Sequence, residues 1–540
     1  MILGSFWSYN QNLQRLNIMR TVLSPQMSLG EIDISKVKLN PKSRDDIPAI
    51  LLGLQHIYTT PTLHESVFTI LQQVIPKQEN DEKVASDEKQ VVSSLLGRPG
   101  MDQWKILVLG VLRLGLNTDY DRIHDLANHH STIRQMMGHS DWSDDYEYSL
   151  QSIKDNLSLF TPEILEQINH EVIKAGHTLV KKKPSVGQTK NSPSTQQEHD
   201  LEAEKLRGRC DSFVVETNVH FPTDISLLFD AIRKAIIESA QLANAYGLPD
   251  WRQFKNNIRL FKKQYRKIQI LKHSTSKDEE KKFIRVELIK KEYAHYINMA
   301  EKHLNHSKQL IEQLKAGGGV DDEWMQLSHF LDYVELLSKQ INRRVILEET
   351  IAHSEKIFSI FEPHTEWISK GKAGVPVELG LRVCILEDQH QFILHSKVMQ
   401  KQTDDKVAVE MVTQTQKTFS NLTSVSFDKG YHSQDNQKEL KNYLEQVVLP
   451  KKGRLSEADK LHEESDDFKR LRNKHSGVES AINGLEQGGL DVCPDHGING
   501  FKRYVSLAVL SRNIKRLGSI IRKQAQEKED RKRGPYKKAA

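Results

Sequence analysis

Three carboxylates in this 540-residue chain stand where chemistry could use them. Asp211 opens the β-branched and aromatic run Asp211–Val219, which reads as a strand. Asp428 closes a second short strand, Ser424–Phe427, and leads into the glycine-containing turn Asp428-Lys429-Gly430-Tyr431. Glu479 falls in the first turns of a helix, in His475-Ser476-Gly477-Val478-Glu479. In chain order they lie 217 and 51 residues apart. Phosphodiester cleavage can use two divalent ions about 3.5–4 Å apart, and such ions take hard oxygen ligands. Two strands hold two acids side by side, and a helix packed on the sheet brings a third. One ion then activates the attacking hydroxyl while the other steadies the leaving oxygen. With 72 acids in the chain, each of these alone reads equally well as a solvated or capping carboxylate. Glu216 reads as a surface strand residue or a reserve ligand, and Asp224 as a helix N-cap. His220 and His475 read as packed polar residues or as groups that place phosphate or water.

The elements that must position these acids show in the apolar pattern. A helix over Met101–Leu114 carries Trp104, Ile106, Leu107, Leu109, Val111 and Leu112 around most of its circumference, so it is buried in a bundle. Gly115 is placed to end it. Residues Asp119–Gly138 read as a short helix, a turn and a second short helix, capped by Ser131 and ended by Gly138. That spacing suits a helix-turn-helix whose Arg122 and Arg134 contact DNA, and equally an ordinary helical hairpin. Beyond the strand at Asp211, Phe221–Asp224 is a turn with Thr223 or Asp224 as N-cap. A helix follows over Ile225–Ala245, with Leu227, Leu228, Ala231, Ala235 and Ile236 inward. Trp251–Lys315 is long, polar and helical, with 17 Lys and Arg against 7 acids. A second helix spans Trp324–Glu349, and Gly317-Gly318-Gly319 joins the two into an antiparallel helical insert. Strand character returns at Val375–Ile385 and Phe392–Val398. Helices follow at Asp435–Glu445, around Val478–Leu485 and at Phe501–Leu517.

Composition bounds the rest. The apolar fraction is 37% and the charged fraction 28%, which points to long solvated helices. Net charge is only +5, so its distribution matters more than its sum. The apolar stretch Ile106–Leu112 is too short to span a bilayer. Met1–Arg20 has no apolar core of a secretory signal. Cys210, Cys384 and Cys493 lack metal-ligand spacing, which fits a reducing cytoplasm. Lys77–Lys89 reads as a charged loop, Gly97–Gly100 as a turn, and Lys181–Gln197 as a linker. After Ile514 the chain carries ten Lys and Arg against three acids, and is expected to be partly disordered.

The block Arg209–Asp224 resembles the first-aspartate block of DDE transposases from bacterial insertion sequences, the ISNCY-type group above all. Gly97–Trp104 with Leu107, Gly110, Leu112 and Asp119-Tyr120-Asp121 resembles that family's N-terminal domain. Phe427–Ser433 resembles the second-aspartate block. His475–Asn483 with Gly488-Gly489-Leu490 resembles the glutamate block. The resemblance implies an α/β fold: a ribonuclease-H-like catalytic domain with a long helical insertion, preceded by an all-α N-terminal domain. It makes Asp211, Asp428 and Glu479 the catalytic and metal-binding triad, holding two Mg²⁺ (or Mn²⁺) ions. The implied domains are 1–180 for DNA binding, 181–200 as linker, 201–250 and 371–520 for catalysis, 251–370 as insertion and 521–540 as basic tail. Many relatives carry Tyr, Arg, Glu and Lys at fixed offsets around the glutamate. Here those offsets hold Arg472, His475, Glu479 and Glu486, so Arg470, Arg472, Lys474 and His475 stand as the local candidates for DNA contact.

The function so implied is a DNA transposase. It binds inverted repeats at element ends, cuts, and transfers the 3′-hydroxyl to target DNA. Basic stretches at Lys255–Lys267, Lys281–Lys291 and Lys528–Lys538 fit phosphate contact, or are solvated helix surface. Synapsis of two ends implies a homo-oligomer. Double-stranded DNA is the partner and no membrane is involved. A bacterial cytoplasmic, nucleoid-associated location follows. The alternatives are a catalytically silent DNA-binding relic and a metal-dependent nuclease without strand transfer.

Overall fold

In the computed structural model the described residues are 22–23, 32–74, 100–140, 145–181, 204–273, 278–319, 321–369 and 376–533. The loop expected at 77–89, turn residues 97–99, linker residues 182–197 and tail residues 534–540 lie outside them. By packing, the chain forms two units, Met1–Glu216 with Leu381–Ala540, and Thr217–Gly380.

The first unit begins with helices α1 (Ile47–Thr59) and α2 (Pro61–Leu71), each with a proline in its opening turn, where a missing N–H costs nothing. Helix α3 (Gln103–Gly115) is buried nearly all round, and Trp104 Nε1 donates to the Met136 carbonyl at 2.9 Å. Gly115 is the last residue of this helix, and a Cβ there would come within 2.6 Å of Ile50 Cδ1. The left-handed residue that turns the chain is Asn117, at φ 49°. Helices α4 (Tyr120–His129) and α5 (Ser131–Met136) follow. The cap of α5 is His130, whose Nδ1 accepts from the Ile133 N–H, rather than Ser131. Helices α6 (Leu150–Leu157) and α7 (Pro162–Lys181) complete the N-terminal set.

Strand β1 (Leu206–Thr217) starts five residues before Asp211, which therefore sits mid-strand. In the second unit a Thr223–Ser226 capping box starts α8 (Asp224–Ala245). The cap is Thr223, and Asp224 instead pairs with Arg344. The long polar stretch is two helices, α9 (Phe254–His273) and α10 (Glu279–Ala316), because Asp278 caps a fresh start. Helix α11 (Met325–Ile341) ends in a π turn at Asn342–Ile346, short of the expected Glu349. Helix α8, expected with the catalytic part, packs here. Its apolar face meets α10 and α11: Tyr296 OH donates to the Ile225 carbonyl, and Ser239 Oγ to Ser307 Oγ, both at 2.9 Å. Strand β2 (Glu366–Ser369) pairs antiparallel with the start of β3 (Val377–Glu387), at Val377–Gly380.

The first unit resumes along β3 and adds β4 (Ile393–Met399), α12 (Asp404–Thr418), β5 (Leu422–Phe427) and α13 (Gln434–Glu439). Then come β6 (Gln446–Val448), α14 (Glu457–Glu464), α15 (Asp466–His475), α16 (Gly477–Leu485), β7 (Val492–Cys493) and α17 (Gly497–Arg533). The sheet runs β2-β3-β1-β5-β6, with β4 on β3 and β7 on β1. β1, β5 and β6 are parallel, while β4 is antiparallel to β3. Strand alternation sends Phe213, Val215, Val383 and Ile385 into one core with the N-terminal helices, α16 and α17. Cys210, Cys384, Val425 and Phe427 enter a second core under α12.

Two expectations are corrected by this packing. The N-terminal helices are not a body apart, because α3 and α7 both pack along α17 and α7 also meets β4. Buried Asn513 on α17 ties Asn169 of α7 to Ile393 of β4, with bonds of 2.7–3.0 Å. The tail is not disordered as far as Arg533. α17 continues past Ile514 because Gly518 lets it lie on α1, where a Cβ would come within 1.8 Å of the Ala49 carbonyl. Arg522 and Gln526 then bond the carbonyls of Ser43 and Pro41.

Candidate active site

Parallel pairing sets the first two acids. Cys210 faces Phe427 across β1 and β5, so Asp211 and Asp428 are the next residues along neighbouring strands, whose spacing is about 4.8 Å. Because side chains alternate, both point away from the core that holds Cys210 and Phe427. That is the face covered by α15 and α16. Val478, Ala481 and Leu485 hold α16 in the core and leave Glu479 exposed.

The electrostatics join these acids into one field. Burial first, then the charges of Asp428, Asp404 and Glu479, together push the Asp211 carboxyl up to about 6. A 2.8 Å bond from the Ser212 N–H pulls the other way. Asp404 was not among the candidates. It opens α12, and its Oδ1 accepts from Ser212 Oγ at 2.6 Å. Gly430 gives it room, since a Cβ there would stand 3.1 Å from Asp404 Oδ2. In the sequence Thr403-Asp404-Asp405 is only a helix start, so nothing local signals this placement. The donor set is all carboxylate oxygen and mutually repelling, which is the chemistry a hard divalent cation fits. Among the described residues, no group of three or more His, Cys, Asp and Glu closes tightly enough to hold a metal as it stands.

The remaining candidates are placed differently. His475 Nδ1 lies 3.1 Å from Ser426 Oγ, and burial pushes its imidazole down, against the opposing pull of Asp428 and Glu479. It is packed beside the acids. Arg470 pairs with Asp467 and Arg472 with Glu463, both largely exposed. The Lys474 side chain is exposed, and with Ser476 and Gly477 it lines a cavity of about 580 Å³ that also meets Arg207, Arg209 and Ser424. Arg122 pairs with Asp125 on the surface. Arg134 donates to the carbonyls of Ala127 and Tyr146, so it braces the turn between α4 and α5. Helix α5 is six residues long, and Arg134 on it is half-buried. Glu216 is engaged, and its N–H donates to the Asp491 carbonyl at 2.9 Å. In the second unit His220 lies 3.5 Å from Asp230. Along α9, Lys255, Arg259, Lys262, Lys263 and Arg266 are exposed, whereas Lys281, Lys282 and Lys290 on α10 pair with nearby acids.

Residues 348–514 match the family model of the transposase DDE domain. The matched span holds Asp404, Asp428 and Glu479, and begins after Asp211. No curated protein and no solved structure matches the chain. The match supports a transposase, and with it a polynucleotidyl transferase or nuclease activity at the general level. It also supports a DNA partner. Among the described residues, no helix is long and apolar enough to cross a membrane.

Proposed function

We propose that this chain is a DNA transposase of a bacterial insertion sequence, with a ribonuclease-H-like catalytic fold in its first unit. It binds the element ends, cleaves the phosphodiester and passes the 3′-hydroxyl to target DNA. The observation that carries this reading is the shared field of Asp211, Asp428 and Glu479 on one face of the sheet. The three acids come in the chain order of the transposase blocks, and the transposase match covers the last two.

Each residue has a stated task. Asp211 and Asp428, fixed by strand pairing, would hold Mg²⁺ or Mn²⁺ from the sheet side, and Glu479 would hold it from α16. Two such ions supply Lewis-acid activation of the attacking oxygen and charge relief at the leaving oxygen. Asp404 keeps Ser212 engaged and adds negative charge, which favours the metal-bound state of Asp211. His475, held near neutrality by burial, braces α15 on Ser426 beside the acids. The exposed cations of α9 supply sequence-independent phosphate attraction. Synapsis of two ends makes the working form an oligomer, acting at DNA in the cytoplasm.

The test uses a labelled duplex carrying the ends that flank the protein's own coding sequence, with Mg²⁺. Nicked and joined products are expected from the wild type and neither from Glu479→Ala, with end binding kept. Cleavage retained by Asp428→Ala would refute the assignment.

A further inference from the structure

Glu387 ends β3 with a side chain only 1% exposed, yet it carries a carboxylate. Its Oε2 lies 3.1 Å from Arg209 Nη2, and its Oε1 lies 3.8 Å from Arg512 Nη2. The first contact is one of charge, because Arg209 Nη2 aims its hydrogen bond at the Asp388 carbonyl, 2.7 Å away. Burial pushes the Glu387 carboxyl up to about 7, with the neighbouring Asp388 adding to the rise, while Arg209, Arg512 and Arg516 pull it down.

Both guanidinium groups also lie against α16, the helix of Glu479. A Cβ on Gly477 would come within 1.7 Å of Arg209 Nη1, and one on Gly484 within 2.2 Å of Arg512 Nη1. The two glycines stand seven residues apart, which is two turns, so they share a face. Glycine at these two positions gives each arginine a seat on the backbone. Arg209 also donates from Nη1 to the Lys474 carbonyl at 3.4 Å, at the end of the preceding helix. It stands two residues before Asp211 on the same face of β1. One side chain therefore spans from the strand of the first acid to the helix of the third.

We propose that Glu387 is a positioning residue: through Arg209 and Arg512 it clamps α16 at both ends and sets where Glu479 stands relative to Asp211 and Asp428. The clamp rests on the transposase reading only in treating Glu479 as the third catalytic acid. Three elements distant in the sequence share one charge. If it is lost, Arg209 and Arg512 lose the anion between them, and Arg512 is left with the repulsion of Arg516 beside the helix.

The test is Glu387→Gln in the full chain, which keeps the side-chain volume and removes the charge. Amide hydrogen exchange in 477–485 should quicken by about tenfold, while exchange in β5 stays unchanged. On element-end duplex with Mg²⁺, kcat should fall on the order of 100-fold while end affinity stays within about twofold. Unchanged exchange in 477–485 overturns the clamp. So does exchange that quickens equally across both cores, which would make Glu387 a general support. If Glu387→Gln does not fold, Arg512→Lys keeps the charge and removes the planar fork, and is read in the same way. A wild type that does not cut refutes the transposase reading, and the exchange measurement still decides the clamp.

Discussion

Replacing Asp211 by Asn should make the protein more stable and abolish its cleavage. The side chains have nearly the same volume, and Asn keeps an oxygen to accept the Ser212 N–H bond, so the substitution removes charge and little else. Burial and three neighbouring carboxylates lift the Asp211 carboxyl from its ordinary 3.8 to about 6. At about 1.36 kcal/mol per pH unit, that rise is worth about 3 kcal/mol. The sign follows from proton linkage. Below pH 3.8 the carboxyl is protonated in both the folded and unfolded chain, and it has no effect. Between 3.8 and about 6 the folded chain holds a proton that the unfolded chain has released, so stability falls as pH rises. Above 6 the full penalty is present. Denaturant titrations of both proteins at pH 7 should therefore favour Asp211→Asn by up to about 3 kcal/mol, and the gap should close as pH falls through 6 towards 4. Mg²⁺ should stabilise the wild type more than the variant, since a bound cation relieves the same repulsion. A variant no more stable than the wild type at pH 7, with the same pH slope, would refute the shared field.

Gly518→Ala should lower the melting temperature markedly. Its Cβ would meet the Ala49 carbonyl at 1.8 Å, backbone against backbone, which costs about 3 kcal/mol of overpacking; an unchanged melt would mean that α1 and α17 do not cross there. Arg134→Ala should cost about 1–3 kcal/mol through the lost bonds to Ala127 and Tyr146. If Arg134 acts only as a brace, the variant's affinity for DNA at fixed salt should not change, and weaker binding at unchanged stability would give α5 a DNA-reading role. Replacing Lys262, Lys263 and Arg266 together by Gln should lower the salt slope of DNA binding by about 2–3 without a stability loss, since all three are exposed on α9. A slope equal to that of the wild type would remove α9 from the DNA-binding surface.

Local residue patterns set most of the elements, and the order of the acids is plain in the chain. Six apolar residues around Met101–Leu114 required a buried helix, and all six are fully buried. The β-branched run at Asp211 and the short run before Asp428 required strands, because a period of two and its turn residues are local properties. Gly430 and Gly477 were visible, but the sequence did not say what they make room for. That answer lies with Asp404 and Arg209, both distant in the chain. The parallel register that puts Asp211 beside Asp428 joins strands more than two hundred residues apart. A buried Glu387 and a solvated Glu445 have the same local signature, since burial is set by what packs on the residue, not by its neighbours in the chain. The same holds for α17. After Ile514 its basic composition reads as a solvated tail, and only Gly518 and the facing helix α1 make that part belong to the core. Tertiary structure decided these points because each depends on contacts between segments that no local pattern brings together.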